Sequence, residues 1–456
     1  MWPIIPSLDT LWQAVAVVFT EPSFQSHRDI LLGWIMWIGR RTEYRVFQTI
    51  PASSVVSRIE RHPFDRFYNF FSRSAWTVES LAHQVAVRVV VALNPTGVLY
   101  LVADDTLLHK RGKTVSGLGW FRDAVASTAK RVVTASGNNW VVLGLAIPIP
   151  FCPDPILCLP LSARLHLPGA GSPSCVDLAA EMLGEILGWF PDRPIVLIGD
   201  GAYAAHGLLG NLVERVNYVG RIRGDAEIYD PQGPPQPPGK RGRKPTKGPR
   251  LPSPRAAAVL ADQNGTGKGP WVWRDIEVTI SGVTRLLRVL AYQAVWPEVL
   301  GLRPIQIVVV RDPAGKFRDA YLFTTDRTAS LSWVVTTFAR RWSIEVAFKA
   351  SKQVMEIEGP RHWCQGSIEK LAPWVWLMQS VISLWDLTVG HTLPEAATAR
   401  QNLGPWDTEW SLAHWVRVLR ITTMAAAIHA GFDENNDCQE FIRRVKNYLF
   451  YVASAA

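Results

Sequence analysis

The sequence predicts a mixed α/β protein, and two kinds of segment carry that prediction. Residues 98–103 and 195–198 are apolar at every position, and they run into Asp104-Asp105 and into Gly199-Asp200. A short run with no polar alternation reads as a strand covered on both faces, and the polar residue that ends it is delivered to the sheet edge. Segments of helical period, such as 176–189 and 338–352, lie between and beyond these strands.

In chain order, residues 8–90 read as several helices. Residues 30–38 are strongly apolar, and 65–73 interleave aromatics with cations as Asp-Arg-Phe-Tyr-Asn-Phe-Phe-Ser-Arg. That texture suits either a DNA backbone or a helix whose Phe/Tyr face packs inward while its arginines stay solvated. From Gly97 the chain turns to β: 98–103, then 140–149 and 156–165, separated by proline-rich turns. A helix over 176–189, a strand over 195–198, a helix over 202–215 and a strand over 218–222 follow. Three strands, helix, strand, helix, strand is the order of the ribonuclease H fold, although many α/β chains admit such a parse. Residues 271–280, 284–295, 304–311 and 320–325 read as four further strands with turn signals between them, and 367–388 and 408–430 as closing helices.

The expected fold is therefore a ribonuclease H-like core with a helical N-terminal region, an inserted β subdomain and a helical C-terminal region. Its expected parts are a DNA-binding helical region 1–92, a first core part 93–225, a β subdomain 226–328 with a basic loop 231–255, a helix 329–362 that completes the core, and helices 363–456.

A length of 456 residues accommodates two or three domains. Lys and Arg number 48 against 39 Asp and Glu, a formal charge of +9. This excess favours a polyanionic partner, or serves solubility alone. Five cysteines without a Cys-x-x-Cys pair indicate neither a disulfide framework nor a zinc site, which fits a reducing cytosol. Asp9 interrupts the N-terminal apolar run, and Pro373, Gln379, Ser380 and Asp386 interrupt the later one, so neither a signal peptide nor a membrane span is expected.

Residues 231–254 hold nine prolines, and six of the eleven positions 240–250 are Lys or Arg. Such a segment cannot bury a core and is expected to be a mobile loop. Lys240, Arg241, Arg243 and Lys244 surround a centre similar to an AT-hook, whose arginines lie in a narrow minor groove, or form a soluble basic linker.

Residues 338–352 contain no Pro or Gly and read as one helix framed by Ser330 and Gly359-Pro360. At about 100° per residue, Phe338, Arg341, Glu345, Lys349 and Lys352 fall within roughly 40° of Glu345. One carboxylate thus sits in a stripe of cations, an arrangement that by itself is equally an ordinary solvated face. With Asp105 and Asp200 at neighbouring strand ends, the acids suit two-metal phosphoryl transfer, because hard divalent ions take oxygen ligands.

These residues resemble DDE transposases of bacterial insertion sequences. The Phe338-x2-Arg341-x3-Glu345-x6-Lys352 pattern is similar to their Tyr-x2-Arg-x3-Glu-x6-Lys signature, Asp104-Asp105-Thr106 to their first acidic motif, and Gly199-Asp200-Gly201-Ala202-Tyr203 to their second. The resemblance spans roughly 100–360. It implies a DNA transposase that binds terminal inverted repeats and performs cut-and-paste cleavage and strand transfer. It further implies two Mg²⁺ or Mn²⁺ ions on Asp105, Asp200 and Glu345, double-stranded DNA at transposon ends and target, a homodimeric synapse, and a bacterial, nucleoid-associated cytoplasmic location. Asp105 is favoured over Asp104 because the family's acid directly precedes Thr. Arg341 and Lys352 are implied to clamp phosphate. The family Tyr is Phe338 here, which keeps the ring and lacks the hydroxyl.

Lys349, Phe338 and the cluster Lys110, Arg111 and Lys113 are further expected DNA contacts, the cluster being equally readable as a solvated turn. Some relatives flip a base onto a Trp of the inserted domain; Trp271, Trp273 and Trp296 are the candidates here, with burial in the β core the favoured fate of each. A domesticated DNA-binding protein without turnover and a nuclease without strand transfer share this site. A glycosidase would leave the basic tract and the cations around Glu345 without a role.

Overall fold

The computed structural model describes residues 5–37, 42, 45–46, 65–128, 130–232, 247–264, 271–401, 403 and 408–433. The apolar runs form the middle of a ten-stranded sheet. β1 (Leu99–His109) pairs antiparallel with β3 (Thr134–Ile149), and β3 pairs antiparallel with β4 (Cys152–His166). On its other side β1 pairs parallel with β5 (Ile195–Gly199), which pairs parallel with β6 (Val216–Arg221). The resulting order, β4-β3-β1-β5-β6, with only β3 antiparallel to the other four, is the ribonuclease H arrangement. A short strand unforeseen in the sequence, β2 (Gly119–Arg122), pairs with the start of β3 beyond the end of β4.

Four strands extend the same sheet. β10 (Ala320–Thr324) pairs with β6, and β9 (Pro304–Arg311), β8 (Val283–Val295) and β7 (Arg274–Ile280) follow outward. The segment read as an inserted β subdomain therefore shares its hydrogen bonding with the core.

Helices cover both faces, which is why the central strands are apolar at every position. One face carries α5 (Cys175–Trp189), whose start is fixed by a capping box between Ser174 and Asp177. The other carries the long helix α11 (Gln365–Thr388), where Trp376 meets Trp140 of β3 edge-on and Ser380 Oγ donates to the Pro160 carbonyl at 2.7 Å. Much of the tryptophan content is core: Trp12, Trp34, Trp140, Trp374, Trp376 and Trp385 are fully buried.

The N-terminal helices α1 (Pro6–Gln13) and α2 (Glu21–Met36) pack back on this core. Trp385 Nε1 donates to Ser7 Oγ at 3.0 Å and Trp34 Nε1 to the Met355 carbonyl at 2.8 Å. In α3 (Asp65–Ser72) the aromatics Phe67, Phe70 and Phe71 are buried and Arg66 pairs with Asp29. Inward packing wins there over a DNA-facing aromatic surface. Among the described residues no helix is long and apolar enough to cross a membrane.

Two local expectations change. The helix expected over 202–215 shrinks to α6 (His206–Leu209), since Gly207 and Gly210 each weaken helix by about 1 kcal/mol relative to Ala. The single helix expected over 338–352 is two: α9 (Leu331–Ala339) ends and α10 (Trp342–Gln353) begins across Arg340-Arg341. At the break the backbone tightens to bonds from Arg341 N to Phe338 O and from Ile344 N to Arg341 O, and Ser343 Oγ donates to Arg340 O at 2.7 Å. Glu345 consequently lies in the first turn of its helix, where the helix dipole favours a carboxylate.

Candidate active site

The parallel pairing of β1 with β5 sets the site. Ala103 lies opposite Gly199, the last residue of β5. β1 does not end there, as its sequence suggested, but continues six residues to His109. Asp104 and Asp105 therefore stand on a continuing strand just where its neighbour stops, and Asp200 is the next residue of that neighbour. Gly199 permits the close turn, since a Cβ there would lie 2.9 Å from Tyr203 Cβ and 2.7 Å from the Tyr218 hydroxyl. Asp200 Oδ1 accepts from Ala202 N at 2.8 Å, and its carbonyl accepts from the Tyr218 hydroxyl at 3.2 Å.

Strand alternation sends the two adjacent acids to opposite faces. Asp104 points to the face of α10: its Oδ2 accepts from Arg341 Nη1 at 2.8 Å, while its Oδ1 accepts from the Asp105 N–H at 2.9 Å. The same guanidinium bonds the Glu345 carboxylate. Asp105 points to the face of α5, where its Oδ2 accepts from Asn139 Nδ2 at 3.2 Å. Asp104 is thus engaged through both oxygens, whereas Asp105 is the more exposed of the two.

The electrostatics reflect crowding of like charge in a cleft. Burial pushes the Asp104 carboxyl up to about 7 against the pull of Arg341, and the charge of Asp200 adds to the rise. Burial likewise raises Asp105, opposed by Asn139 and reinforced by Asp200. Beside them Tyr203 is buried, and burial followed by the charges of Asp105 and Asp104 holds its phenol far above the usual range. Among the described residues its hydroxyl makes no hydrogen bond of good geometry, yet it lies near enough to Asp105 to help hold that carboxyl down. It is a neutral donor facing an acid.

Several cations expected at phosphate are bound to the protein instead. Besides Arg341, Lys352 Nζ donates to the Leu107 carbonyl at 2.7 Å, and burial lowers its pKa. Lys110 Nζ donates to the carbonyls of Pro360 at 2.9 Å and Glu358 at 3.2 Å. His109 stands between Asp123 at 2.9 Å and Glu358 at 3.2 Å. These contacts tie the far half of β1 to α10 and the segment after it. Arg111, Lys113 and Lys349 are exposed, the last on the rim of a cavity of about 570 Å³ between α10 and β4.

The Phe338 ring carries the Arg221 guanidinium 5.6 Å from its centroid. Lys240, Arg241, Arg243 and Lys244 lie outside the described residues. Trp296 is buried edge-on to Phe323, Trp271 meets Tyr292 edge-on, and Trp273 is covered by Arg311 while its Nε1 donates to Asp262.

Sequence reasoning missed Asn139 and Tyr203. Asn139 needed the β1–β3 register, but Tyr203 stands three residues after Asp200 in a glycine-rich turn and was within reach. Among the described residues no three His, Cys, Asp or Glu side chains converge closely enough to hold a metal ion. Asp105, raised by burial and then by the charge of Asp200, faces α5 while Glu345 approaches from the other face; with Asp200 they offer only carboxylate oxygens, the donors a hard divalent cation takes.

Residues 19–279 match the family described as DDE superfamily endonuclease. The chain belongs to this family. The matched part of this DDE endonuclease includes Asp104, Asp105 and Asp200 and stops short of Glu345. No curated protein matches it. Among solved structures it is similar to the cryo-EM structure of the piggyBac transposase synaptic complex with hairpin DNA, at 11% identity and a TM-score of 0.43, over 94% of this chain and 76% of that one.

Proposed function

We propose that this DDE endonuclease is a DNA transposase that binds terminal inverted repeats, cuts DNA at the element's ends and joins those ends to target DNA, as a homodimer that holds two ends together. The observation that carries the reading is the register of Ala103 on Gly199, which sets Asp104-Asp105 and Asp200 side by side at one sheet edge, with Glu345 tied to that edge through Arg341.

Asp105, Asp200 and Glu345 would hold two Mg²⁺ or Mn²⁺ ions. Bound there, such ions activate water or a 3′-hydroxyl and stabilise the leaving oxygen. The chain's own residues do the positioning. Arg341 joins Glu345 to Asp104, so α10 is registered on β1. Asn139 holds one oxygen of Asp105, and Tyr203 offers it a proton-bearing hydroxyl from the buried side. Lys352 and Lys110 brace β1 through backbone carbonyls. Phosphate contact falls to the exposed cations Arg111, Lys113 and Lys349.

The test is cleavage of DNA carrying the inverted repeats that flank the gene, with Mg²⁺ present. Wild type is expected to cut and join, and Asp200→Ala and Glu345→Gln to do neither. If those variants cut as well as wild type, the assignment is wrong.

A further inference from the structure

The far end of the β2–β3 hairpin, residues 119–136, lies along the strand from the acids and from Asn139, and it is built like a contact surface. Between residues 110 and 134 the cations Lys110, Arg111, Lys113, Arg122, Lys130 and Arg131 face a single acid, Asp123. That acid is consumed internally: Oδ1 accepts from the N–H groups of Val125 and Ala126 at 3.0 Å, and Oδ2 meets His109 Nε2 at 2.9 Å. The hairpin is ordered by its own bonds, from Asp123 N to Val133 O at 2.8 Å and from Val133 N to Ser127 Oγ at 2.9 Å. On this frame Arg111, Lys113, Arg122, Lys130 and Arg131 are all exposed. So are Trp120 at 76%, Val125 at 90% and Val132 at 67%.

Register places this surface relative to the site. Directly paired residues share a face of a sheet. Asp104 pairs with Val142, Trp120 with Ser136 and Arg122 with Thr134. The even-numbered residues of β3 from 134 to 142 lie on one face, so Trp120 and Arg122 project from the face that carries Asp104, Arg341 and Glu345. Phe121 goes to the other face and packs near His166. From Val142 to Ser136 is six steps, about 20 Å along the strand at about 3.3 Å per residue.

We propose that the β2–β3 hairpin is a contact for double-stranded DNA about six base pairs from the scissile phosphate, with Arg122, Lys130 and Arg131 on backbone phosphates and Trp120 packed against the sugars between them. This rests on the transposase reading, because that reading puts a duplex at the sheet edge that Glu345 approaches from the same face as Trp120 and Arg122. Charge decides the occupant: five exposed cations with no free acid among them suit a polyanion and repel a second copy of the same hairpin.

The experiment titrates the full chain with a 30-base-pair duplex of arbitrary sequence at several salt concentrations. Arg122→Gln/Lys130→Gln/Arg131→Gln is expected to lower the log–log salt slope by about 3, since each phosphate contact contributes about 0.9. Trp120→Ala is expected to weaken binding with little change of slope, because the ring carries no charge. The charge-preserving Arg122→Lys/Arg131→Lys variant is expected to bind like wild type, which guards against loss of fold as the cause. A triple variant with wild-type affinity and slope overturns the hairpin proposal alone. Wild type that binds no duplex overturns the reading beneath it. If sedimentation shows the triple variant monomeric where wild type is dimeric, the hairpin is a subunit interface and the proposal fails.

Discussion

Arg341 Nη1 donates to Asp104 Oδ2 at 2.8 Å, and the other arm of that guanidinium binds Glu345. One side chain thus joins the strand that bears the first acids to the helix that bears the last. Arg341→Gln is expected to leave the fold intact and to lower cleavage about 100-fold, the usual cost of letting a reacting group drift by about 1 Å. Duplex affinity should change far less, because this arginine is engaged with carboxylates rather than phosphate. An equal loss of affinity and cleavage, measured by anisotropy and by product formation, would restore it to the role of a phosphate clamp.

The adjacent acids are expected to separate. Asp105→Asn removes a proposed metal ligand and should abolish cleavage. Asp104→Asn removes a residue that acts through Arg341 and should cost about 10–100-fold, the range for groups that orient ligands. Single-turnover rates of the two variants decide the matter, and the reverse ranking would exchange their roles.

Tyr203 offers a cleaner dissection. Its hydroxyl is buried and makes no hydrogen bond of good geometry among the described residues, so Tyr203→Phe should change the melting temperature little. If the hydroxyl donates to Asp105 once the site is charged, the same variant should lower cleavage about 10–100-fold and weaken Mn²⁺ binding. A variant as active as wild type would make Tyr203 a packing residue only.

The raised carboxyls give a pH dependence with a definite sign. Asp104 and Asp386 are each pushed up to about 7, chiefly by burial, and Asp105 is raised as well. A folded state that binds protons more tightly than the unfolded chain loses stability as pH rises from the unfolded carboxylate value, about 4, through the folded one. Calorimetry in EDTA should therefore give a lower melting temperature at about pH 8 than at about pH 5, with a smaller difference in Asp104→Asn. Added Mg²⁺ should recover stability at the higher pH and do little at the lower, because protons occupy the carboxyls there. A Mg²⁺ effect equal at both values would place the ion elsewhere.

Phe338 stands where the resembling family carries Tyr, and its ring supports Arg221. Phe338→Tyr keeps that platform and is expected to bind duplex as well as wild type or more tightly. Phe338→Ala should lose about 0.5–1 kcal/mol of cation–π contact. Collapse of activity in the Tyr variant would mean that this face does not meet DNA.

Much of the core was legible because buried strands advertise themselves. The runs before Asp104 and Asp200 have no polar position, and their parallel pairing followed from the element order. The extent of β1 was not legible: Thr106, Leu107 and Leu108 continue the strand only because Asn138, Asn139 and Trp140 of β3 pair with them, a long-range fact. The break at Arg340-Arg341 was hidden as well, since neither Pro nor Gly marks it and Ser343 makes it by bonding backward. The cationic stripe around Glu345 was read on one unbroken helix, which the break divides. Its partners were not legible, because a sequence does not say whether an arginine will find phosphate or a carboxylate from another strand.

The central claim is that Asp105, Asp200 and Glu345 surround the divalent ions. Anomalous diffraction from crystals grown with Mn²⁺ tests it most directly. The account predicts two peaks, about 3.5–4 Å apart, within bonding distance of those three carboxylates, with Asp104 still on Arg341. Peaks bound by Asp104 in place of Asp105, or no peak at this edge of the sheet, would contradict it.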